Sequence, residues 1–552
     1  MRNRLLQPRG PLSLMLGLAL WFSLACNWPL WAALWRHVSA RGASGAAVLV
    51  AAAVAVTALQ FALLALLAWR RVARPAGALL VLAAATAAAF MLQFGVVIDG
   101  GMMTNVWQTD ALEVKGILNA RWLLTVLLLS LPPLWWLWRT PLAAPAPGRA
   151  WWRPALRNGL AMLGALAVAV LAVLPVYKDA AALMRNDKSL RYRITPSNAV
   201  YATVQSLRPP QSAKPLTPVG EDARTALPPG ARPRLLALVV GETARADHFS
   251  INGYARDTTP QLRRDDVLSF ADVTSCGTST AVSLPCMFSL QGRQAHLSEK
   301  RRMENLLDVL QRAGWRVMWL ENQAGCKGVC ARIPRFDTKP AELPPELCAS
   351  DGECQDLAML HGLPQRVAQA MQAAQASQAP GVVVVLHQMG SHGPEYFRRS
   401  APALKTFQPE CRQADLGACE REHIVNAYDN SIHATSVFLA RTLDWLQAEQ
   451  ARFDTAMLYV SDHGESLGEK GLYLHGMPWA LAPRTQTHVP VLAWFSPAWL
   501  AAQPMPATCL KAQAAKAWTH DNYAPSVLGL LSVQTQVYEG GLDIFAPCRQ
   551  AA

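Results

Sequence analysis

Five long apolar stretches in the first third of the chain constrain its fold most strongly. None of them contains Lys or Arg, and each has about the 17–25 residues that a helix needs to cross a hydrocarbon core of ~30 Å. Twelve of the 19 tryptophans precede residue 177, many near the ends of the stretches, as in an aromatic belt. The sequence therefore predicts a five-span α-helical membrane domain over residues 1–177, with spans at roughly 12–35, 46–69, 76–98, 122–138 and 159–176.

The basic residues orient these spans. If the N-terminus lies inside, the inner segments carry ten arginines and the outer segments carry four basic residues, Arg36, Arg41, Lys115 and Arg121. This positive-inside bias places everything after residue 177 outside the cytoplasm. The first stretch could instead be a signal peptide, but it is long, lacks a clear small-residue cleavage site and is followed by four more spans.

The net charge of +13 follows the same division. Residues 1–177 hold 14 Lys and Arg against three acidic residues, whereas the remainder holds 37 against 35. A nucleic-acid-binding domain needs its basic excess on a folded surface. The charge therefore marks membrane topology, and we expect no nucleic-acid partner.

Ten of the 11 cysteines lie between residues 276 and 548, in the part predicted to be exported. An even number of cysteines in such a compartment indicates disulfides. Zinc binding by Cys326 and Cys330 is the alternative, but the spacings vary and no histidine clusters with them. By proximity we predict the pairs Cys276–Cys286, Cys326–Cys330, Cys348–Cys354, Cys411–Cys419 and, more distant in sequence, Cys509–Cys548.

Two further regions follow the membrane domain. Residues 178–232 are polar and then proline-rich, which predicts a linker with short bridging helices on the membrane surface. Residues 233–552 alternate β-rich runs with helical patterns, which predicts an α/β/α domain with a mostly parallel sheet. The predicted strands are Leu235–Val240, Val317–Leu320, Val382–Leu386, Met457–Val460 and Val489–Phe495.

Polar side chains follow four of these strands directly, and in open α/β sheets the carboxyl ends of the strands form the ligand site. Glu242, Asp462 and His463 together make a three-ligand set that suits zinc, or manganese because two ligands are oxygens. The alternative for Asp462 and His463 is an ordinary turn with an Asx-type hydrogen bond. The other residues at these ends are Asn322, Gln323, Lys327, His387, His392 and Glu465.

The run TSCGTSTAVSLPCMFS, residues 274–289, offers a nucleophile. Its hydroxyls precede an apolar helical pattern, and a helix N-terminus favours a phosphate. A metal-bound hydroxyl would be activated as a nucleophile. The spacing does not choose among Thr278, Ser279, Thr280 and Ser283, and a simple helix N-cap is the alternative for each.

Several longer motifs carry a family resemblance. GETARADHFSINGY, TSCGTSTAVSLPCMFS, GCKGVC, HQMGSHGP, NAYDNS, YVSDHGESLGEKGLYLHGMP and THVPV occur in order along the chain. In these motifs the chain resembles the phosphoethanolamine transferases that modify lipid A. That family includes the mobile colistin-resistance enzymes and belongs to the alkaline-phosphatase superfamily.

The resemblance implies roles for individual residues. It places the nucleophile at Thr280 and the zinc ligands at Glu242, Thr280, Asp462 and His463. The phosphoethanolamine or second-metal site falls on Thr278, Lys327, His392, Glu465 and His475. Asn105, Thr109 and Glu113 are spaced to share one helix face, and the resemblance implies that they line the lipid-donor site. The family commonly has two asparagines before GCKGVC, whereas this chain has Asn322 and Gln323.

The implied reaction transfers phosphoethanolamine from phosphatidylethanolamine to a lipid A phosphate through a threonine intermediate. The expected protein is a monomer in the bacterial inner membrane, with its catalytic domain in the periplasm. Two alternatives are another envelope glycan as acceptor and glycerol-phosphate transfer of the lipoteichoic-acid-synthase type. A sulfatase or phosphodiesterase is a further rival, but Met287 stands where the sulfatase motif C/S-x-P-x-R has Arg. A receptor or scaffold would not need a metal site at four strand ends.

Overall fold

The computed structural model describes residues 8–39, 42–108, 118–144, 152–206, 215–228, 230–375 and 379–550. The chain divides into two compact units. One comprises residues 1–107 and 117–208, and the other comprises 108–116 and 209–552. Each unit is described by itself below.

The first unit is helical. Four of its helices are long and apolar enough to cross a membrane, and a fifth span results if a bent helix pair near the N-terminus counts as one. The helices are α1 Pro11–Trp21, α2 Trp28–Val38, α3 Gly42–Leu66, α4 Ala73–Phe94, α5 Gly100–Gln108, α6 Ala120–Arg139, α7 Arg153–Val173, α8 Tyr177–Asn186 and α9 Ser197–Ser206.

The first predicted span is interrupted. A π-helical turn, Phe22–Cys26, separates α1 from α2, and the two parts meet at 57°. Pro29, at the start of α2, cannot donate a backbone hydrogen bond back into α1, and π-turns and prolines are the usual sites of sharp kinks. The uninterrupted apolar run of the sequence does not reveal this bend.

The residues after the last span pack on the helices of the first unit. The buried side chain of Asn27 donates to the carbonyl of Thr195 and accepts from its N–H, at 2.8 and 2.9 Å. Gln60 Nε2 donates to the same carbonyl at 2.9 Å. The first part of the predicted linker thus belongs to the helical unit, and the division between the units falls at residue 208.

The second unit is built on an eight-stranded sheet. In spatial order its strands are β8-β2-β7-β6-β1-β5-β3-β4. Neighbouring strands are parallel except that β7 is antiparallel to both β2 and β6. The strands are β1 Arg234–Gly241, β2 Val267–Thr274, β3 Arg316–Glu321, β4 Arg335–Asp337, β5 Gly381–His387, β6 Asp454–Ser461, β7 His488–Phe495 and β8 Trp518–Thr519.

All five predicted strands are present, and the mostly parallel α/β architecture is confirmed. Every residue of β1, β5 and β6 is buried, as continuous apolar runs in a sheet covered on both faces should be. Three short two-stranded pairs lie outside this sheet. The helices of the unit are α10 Thr280–Met287, α11 Gly292–Ser298, α12 Leu306–Arg312, α13 Leu363–Gln375, α14 Arg421–Ala448, α15 Pro497–Ala502, α16 Ala507–Ala514, α17 Tyr523–Leu530 and α18 Ala546–Gln550.

Five disulfides join the cysteines of the second unit, between the same partners that sequence proximity suggests. Cys276–Cys286 links the loop before α10 to that helix, and Cys509–Cys548 links α16 to α18. The other bridges are Cys326–Cys330, Cys348–Cys354 and Cys411–Cys419. Cys26, in the first unit, is buried and unbridged.

Candidate metal centre and nucleophile

The register of two neighbouring strands brings three predicted ligands together. Strands β1 and β6 are parallel and pair Gly241 with Ser461, so the residues that follow them emerge side by side. The N–H of Asp462 donates to the carbonyl of Gly241 at 3.0 Å, which continues this pairing one residue further. Glu242 and Asp462 therefore leave the same edge of the sheet, with His463 next to them.

The ligand atoms of Glu242, Asp462 and His463 all lie within 4.8 Å of one another, and all three residues are fully buried. His463 Nε2 is 3.3 Å from Glu242 Oε1 and 3.4 Å from Asp462 Oδ2. His463 Nδ1 is 2.9 Å from the carbonyl of Gly464, which favours a proton on Nδ1 and leaves Nε2 as a ligand. Asp462 Oδ2 has no hydrogen-bond partner among the described residues.

The two buried carboxylates of this cluster favour a bound cation. Burial, reinforced by the negative charge of Glu242, raises the pKa of Asp462 to about 7. Burial alone would lower the pKa of His463, but the two carboxylates outweigh it and raise that pKa to about 10. For Glu242 burial acts to raise the pKa, and the contact with His463 reverses the net shift downward. Two adjacent buried carboxylates with one unpaired oxygen fit a divalent metal.

Thr280 presents its hydroxyl to this cluster. It is the first residue of α10, and its Oγ1 donates to Glu242, lying 3.0 and 3.1 Å from the two carboxylate oxygens. The same atom is 3.4 Å from His463 Nε2. A hydroxyl at a helix N-terminus, beside a metal-binding set, has the position required of an activated nucleophile.

The other hydroxyls of the run have different contacts. Thr278 Oγ1 donates to the carbonyl of Met477 at 2.7 Å. Ser283 Oγ donates to the carbonyl of Asp462 at 2.5 Å and so ties α10 to the metal-ligand loop. Ser279 is the N-cap residue of α10, but its side chain makes no capping hydrogen bond. Of the four candidates, Thr280 is the one whose hydroxyl donates to Glu242 within the described residues.

Two further histidines pack beside the cluster. The ring of His475 is 4.4 Å from that of His463 and 5.2 Å from that of His392. His475 Nδ1 is 3.4 Å from the fully buried carboxylate of Glu465. Burial lowers the pKa of His475 more than Glu465 raises it. These three predicted residues therefore form one wall next to the triad.

The loop after β3 reaches the cluster through Gln323. Its Nε2 donates to Glu242 Oε2 at 3.2 Å, so the position at which the chain departs from the family motif contacts a candidate ligand directly. Lys327 lies in the same loop, and its Nζ donates to the carbonyl of Ala324 at 3.0 Å. Thr109 and Glu113 lie outside the described residues; Asn105 is in α5, but its side chain is not described.

Sequence reasoning names His387 but misses its buried partner Glu321. His387 Nδ1 is 2.9 Å from Glu321 Oε1, and both side chains are almost fully buried. Glu321 also accepts hydrogen bonds from the N–H of Gln323 and from the indole of Trp319. The pair thereby holds the loop that carries Gln323. The only local indication of this pair in the sequence is that the buried strands β3 and β5 end in Glu321 and His387.

Gly390 packs closely against the backbone of Glu242. Its φ is +54°, and a Cβ there would lie 2.6 Å from the carbonyl oxygen of Glu242. We expect Gly390→Ala to lower enzymatic activity roughly a hundredfold, because a shift of about 1 Å in the geometry of a site can cost that much. Steady-state activity of the purified full chain measures this. Gly253→Ala is the matched control, since φ is +93° there and no atom lies within 4 Å. Equal losses in both variants would contradict the prediction.

Comparison with known proteins identifies the family. The family model described as "Phosphoethanolamine transferase EptA/EptB" matches residues 56–210, and the one described as "Sulfatase" matches residues 234–533. "Phosphoethanolamine transferase EptA" of Salmonella typhimurium is 38% identical over 85% of this chain and 84% of its own length. The chain belongs to the phosphoethanolamine transferase family. "Phosphatidylethanolamine transferase Mcr-1" of Escherichia coli is 39% identical over 77% of this chain and 79% of its own length.

A solved structure of the same family shares the whole architecture. The integral membrane protein lipooligosaccharide phosphoethanolamine transferase A from Neisseria meningitidis has a TM-score of 0.90 and 34% identity, covering 97% of this transferase and 98% of its own chain. The predicted combination of a helical membrane domain and a sulfatase-like periplasmic domain is therefore confirmed. The sulfatase match concerns the fold, because Met287 replaces the arginine of the sulfatase motif.

Proposed function

We propose that this phosphoethanolamine transferase moves phosphoethanolamine from phosphatidylethanolamine to a phosphate of lipid A. The observation that carries the proposal is the Thr280 hydroxyl, which donates to Glu242 inside the buried triad. The names of the relatives support the substrate classes: one is a "Phosphatidylethanolamine transferase", and another, 28% identical over 85% of this chain, is the "Kdo(2)-lipid A phosphoethanolamine 7''-transferase" of Escherichia coli.

Zinc is the proposed metal, held by Glu242, Thr280, Asp462 and His463. The unpartnered Asp462 Oδ2 and the available His463 Nε2 support this set, and mixed oxygen and nitrogen donors suit zinc. Manganese is the less favoured choice because one donor is an imidazole. When bound, the metal would lower the pKa of the Thr280 hydroxyl and offset negative charge on the phosphoryl oxygens.

The first displacement forms the covalent intermediate. Glu242 accepts the hydrogen bond of the Thr280 hydroxyl and takes its proton as Thr280 Oγ1 attacks the phosphorus of phosphatidylethanolamine. The bond from phosphorus to the diacylglycerol oxygen breaks, and that oxygen takes a proton from His392 or His475. The positive end of the α10 dipole stabilises the phosphoryl oxygens. Diacylglycerol leaves, and phosphoethanolamine remains on Thr280.

The second displacement takes place at the same phosphorus and transfers the group to the acceptor. An oxygen of a lipid A phosphate attacks and its proton passes to the histidine that gave one up. The bond from phosphorus to Thr280 Oγ1 breaks, and Thr280 Oγ1 takes back the proton held by Glu242. Thr278, Lys327 and Glu465 complete the proposed phosphoethanolamine site. Lys327 would balance phosphoryl charge, and the buried Glu465 would accept from the ethanolamine ammonium group. Asn105, Thr109 and Glu113 remain the proposed lipid-donor residues.

The location follows from the substrates. Both are lipids, so a membrane-anchored enzyme works at a high effective concentration of each at the bilayer face. We place the transferase in the bacterial inner membrane, as a monomer with the catalytic domain in the periplasm.

Mass spectrometry of lipid A tests the acceptor. Cells that express the chain are expected to gain lipid A species carrying one added phosphoethanolamine, and their resistance to colistin is expected to rise, because the ammonium group offsets phosphate charge. Cells expressing Thr280→Ala at the same level are the control and should show unmodified lipid A. Unchanged lipid A in cells with the active chain would reject lipid A as the acceptor and direct the search to other envelope glycans.

A further inference from the structure

The helical unit contains a groove that the transfer chemistry does not use. Its volume is about 660 Å³, within the range of roughly 300–1,000 Å³ that is common for ligand sites. One wall consists of apolar side chains of α3 and α7, among them Leu59, Leu63 and Met162. The other end is polar and is formed by the turn Lys188–Arg193 and by α9.

The polar end is built around Arg191. Its guanidinium carbon lies 4.7 Å from the centre of the Tyr192 ring, and Nη2 donates to the Tyr192 hydroxyl at 2.9 Å. Asn198 in turn donates to the carbonyl of Tyr192 at 2.8 Å. The arginine is therefore held at the mouth of the groove. A guanidinium has five N–H donors, so the contact with Tyr192 leaves donors for an anion.

Gln60 adds a second polar group, deeper in the groove. Only 3% of the residue is exposed, and its Nε2 donates to the carbonyl of Thr195. Its Oε1 has no hydrogen-bond partner among the described residues, although it is buried. A buried acceptor without a donor is costly, so this oxygen indicates a ligand that brings an N–H or O–H group.

The apolar wall decides which kind of anion fits. Leu59 and Leu63 belong to a membrane-spanning helix and are 46% and 57% exposed. Inorganic phosphate has no group that could pack on this wall, whereas a phospholipid contributes an acyl chain as well as a phosphate. The positive-inside distribution places the segment that carries Arg191 on the periplasmic side of the last span.

We propose that this groove binds one glycerophospholipid. The phosphodiester lies at Arg191, an N–H or O–H of the headgroup donates to Gln60 Oε1, and an acyl chain covers the wall formed by α3 and α7. Phosphatidylethanolamine and phosphatidylglycerol share this chemistry. The proposal concerns lipid binding by the membrane domain and stands whether or not the proposed transfer to lipid A is correct.

Native mass spectrometry of the full chain in detergent tests whether the charge of Arg191 binds the lipid. Delipidated protein is titrated separately with phosphatidylethanolamine, phosphatidylglycerol of the same acyl chains, and inorganic phosphate. Wild type is expected to retain one phospholipid, and Arg191→Gln to weaken that binding about tenfold, the value of one charge-assisted hydrogen bond. Arg36→Gln is the matched control because Arg36 is an exposed outer arginine that does not line the groove.

A second pair of variants tests whether the apolar wall of α3 and α7 binds the acyl chain. Leu59→Trp fills the groove and is expected to abolish retention of the lipid, whereas Leu163→Trp, equally lipid-exposed on α7 but outside the groove, should retain it. Elution volume and thermal midpoint report whether each variant is folded. Tighter binding of phosphatidylethanolamine assigns the Gln60 contact to the ammonium group, and equal binding assigns recognition to the phosphodiester. Wild-type retention in Arg191→Gln or Leu59→Trp, or phosphate binding as tight as lipid, would overturn the proposal.

Discussion

Thr280→Ala is expected to abolish phosphoethanolamine transfer while the protein stays folded and keeps its metal. The variant loses the nucleophile, so we expect the rate to fall by at least about 10⁴-fold, the order seen when a covalent catalyst loses its attacking group. It also loses one buried hydrogen bond, to Glu242, at a cost of about 1 kcal/mol in the free energy of unfolding. Glu242, Asp462 and His463 remain as ligands. Metal content should therefore stay near that of wild type.

Intact-protein mass spectrometry separates this chemistry from a structural effect. Incubation of the full chain with phosphatidylethanolamine, without acceptor, should add one phosphoethanolamine to wild type and none to Thr280→Ala. Thr280→Ser keeps the hydroxyl and is the matched variant; it should still form the adduct, though more slowly because the hydroxyl is held less rigidly. An adduct on Thr280→Ala, or its transfer activity within tenfold of wild type, would remove Thr280 from the proposed role.

The clustering of the three candidate metal ligands could be predicted from the sequence because of sheet geometry. Buried parallel strands have continuous apolar runs, and the residues directly after them must meet at one edge. Glu242 and the pair Asp462 and His463 are brought together in this way by β1 and β6. Spacing alone leaves the choice among four hydroxyls open, and only the family resemblance implies Thr280, because the choice depends on how α10 is rotated against the sheet. That rotation turns Thr280 toward Glu242 and Ser283 toward the backbone of Asp462.

The parts that sequence patterns missed depend on contacts between distant residues. Strand β2, Val267–Thr274, is only partly buried and mixes polar with apolar residues, so it lacks the run that marks a central strand. The bend after α1 and the packing of the segment near Thr195 both involve Asn27, 168 residues away. A polar residue within an apolar stretch gives no indication of its partner. Gln323 likewise contacts Glu242 through a side-chain conformation that no local pattern encodes.

Metal removal is expected to have the second large effect. Chelation should reduce transfer to background, and zinc should restore it. Asp462→Asn should lower metal affinity by more than the 10–100-fold that changes to supporting residues usually cost, because it removes a negatively charged ligand, whereas water can replace the neutral hydroxyl of Thr280. Asp272→Asn is the matched control, since that aspartate is half exposed and pairs with Arg484 on the surface. Metal content by elemental analysis and activity after zinc addition measure both variants.

Thermal unfolding of the same proteins makes the prediction sharper, because the sign of the effect should change with metal. With zinc present, wild type should unfold at a higher temperature than Asp462→Asn, since a ligand that binds only the folded state stabilises it. With zinc removed, wild type keeps two adjacent buried carboxylates, and burial together with the repulsion of Glu242 raises the pKa of Asp462. Neutralising one of them relieves that repulsion, so the chelated variant should unfold at the higher temperature. If wild type were the more stable in both conditions, Asp462 would support the fold rather than hold a metal.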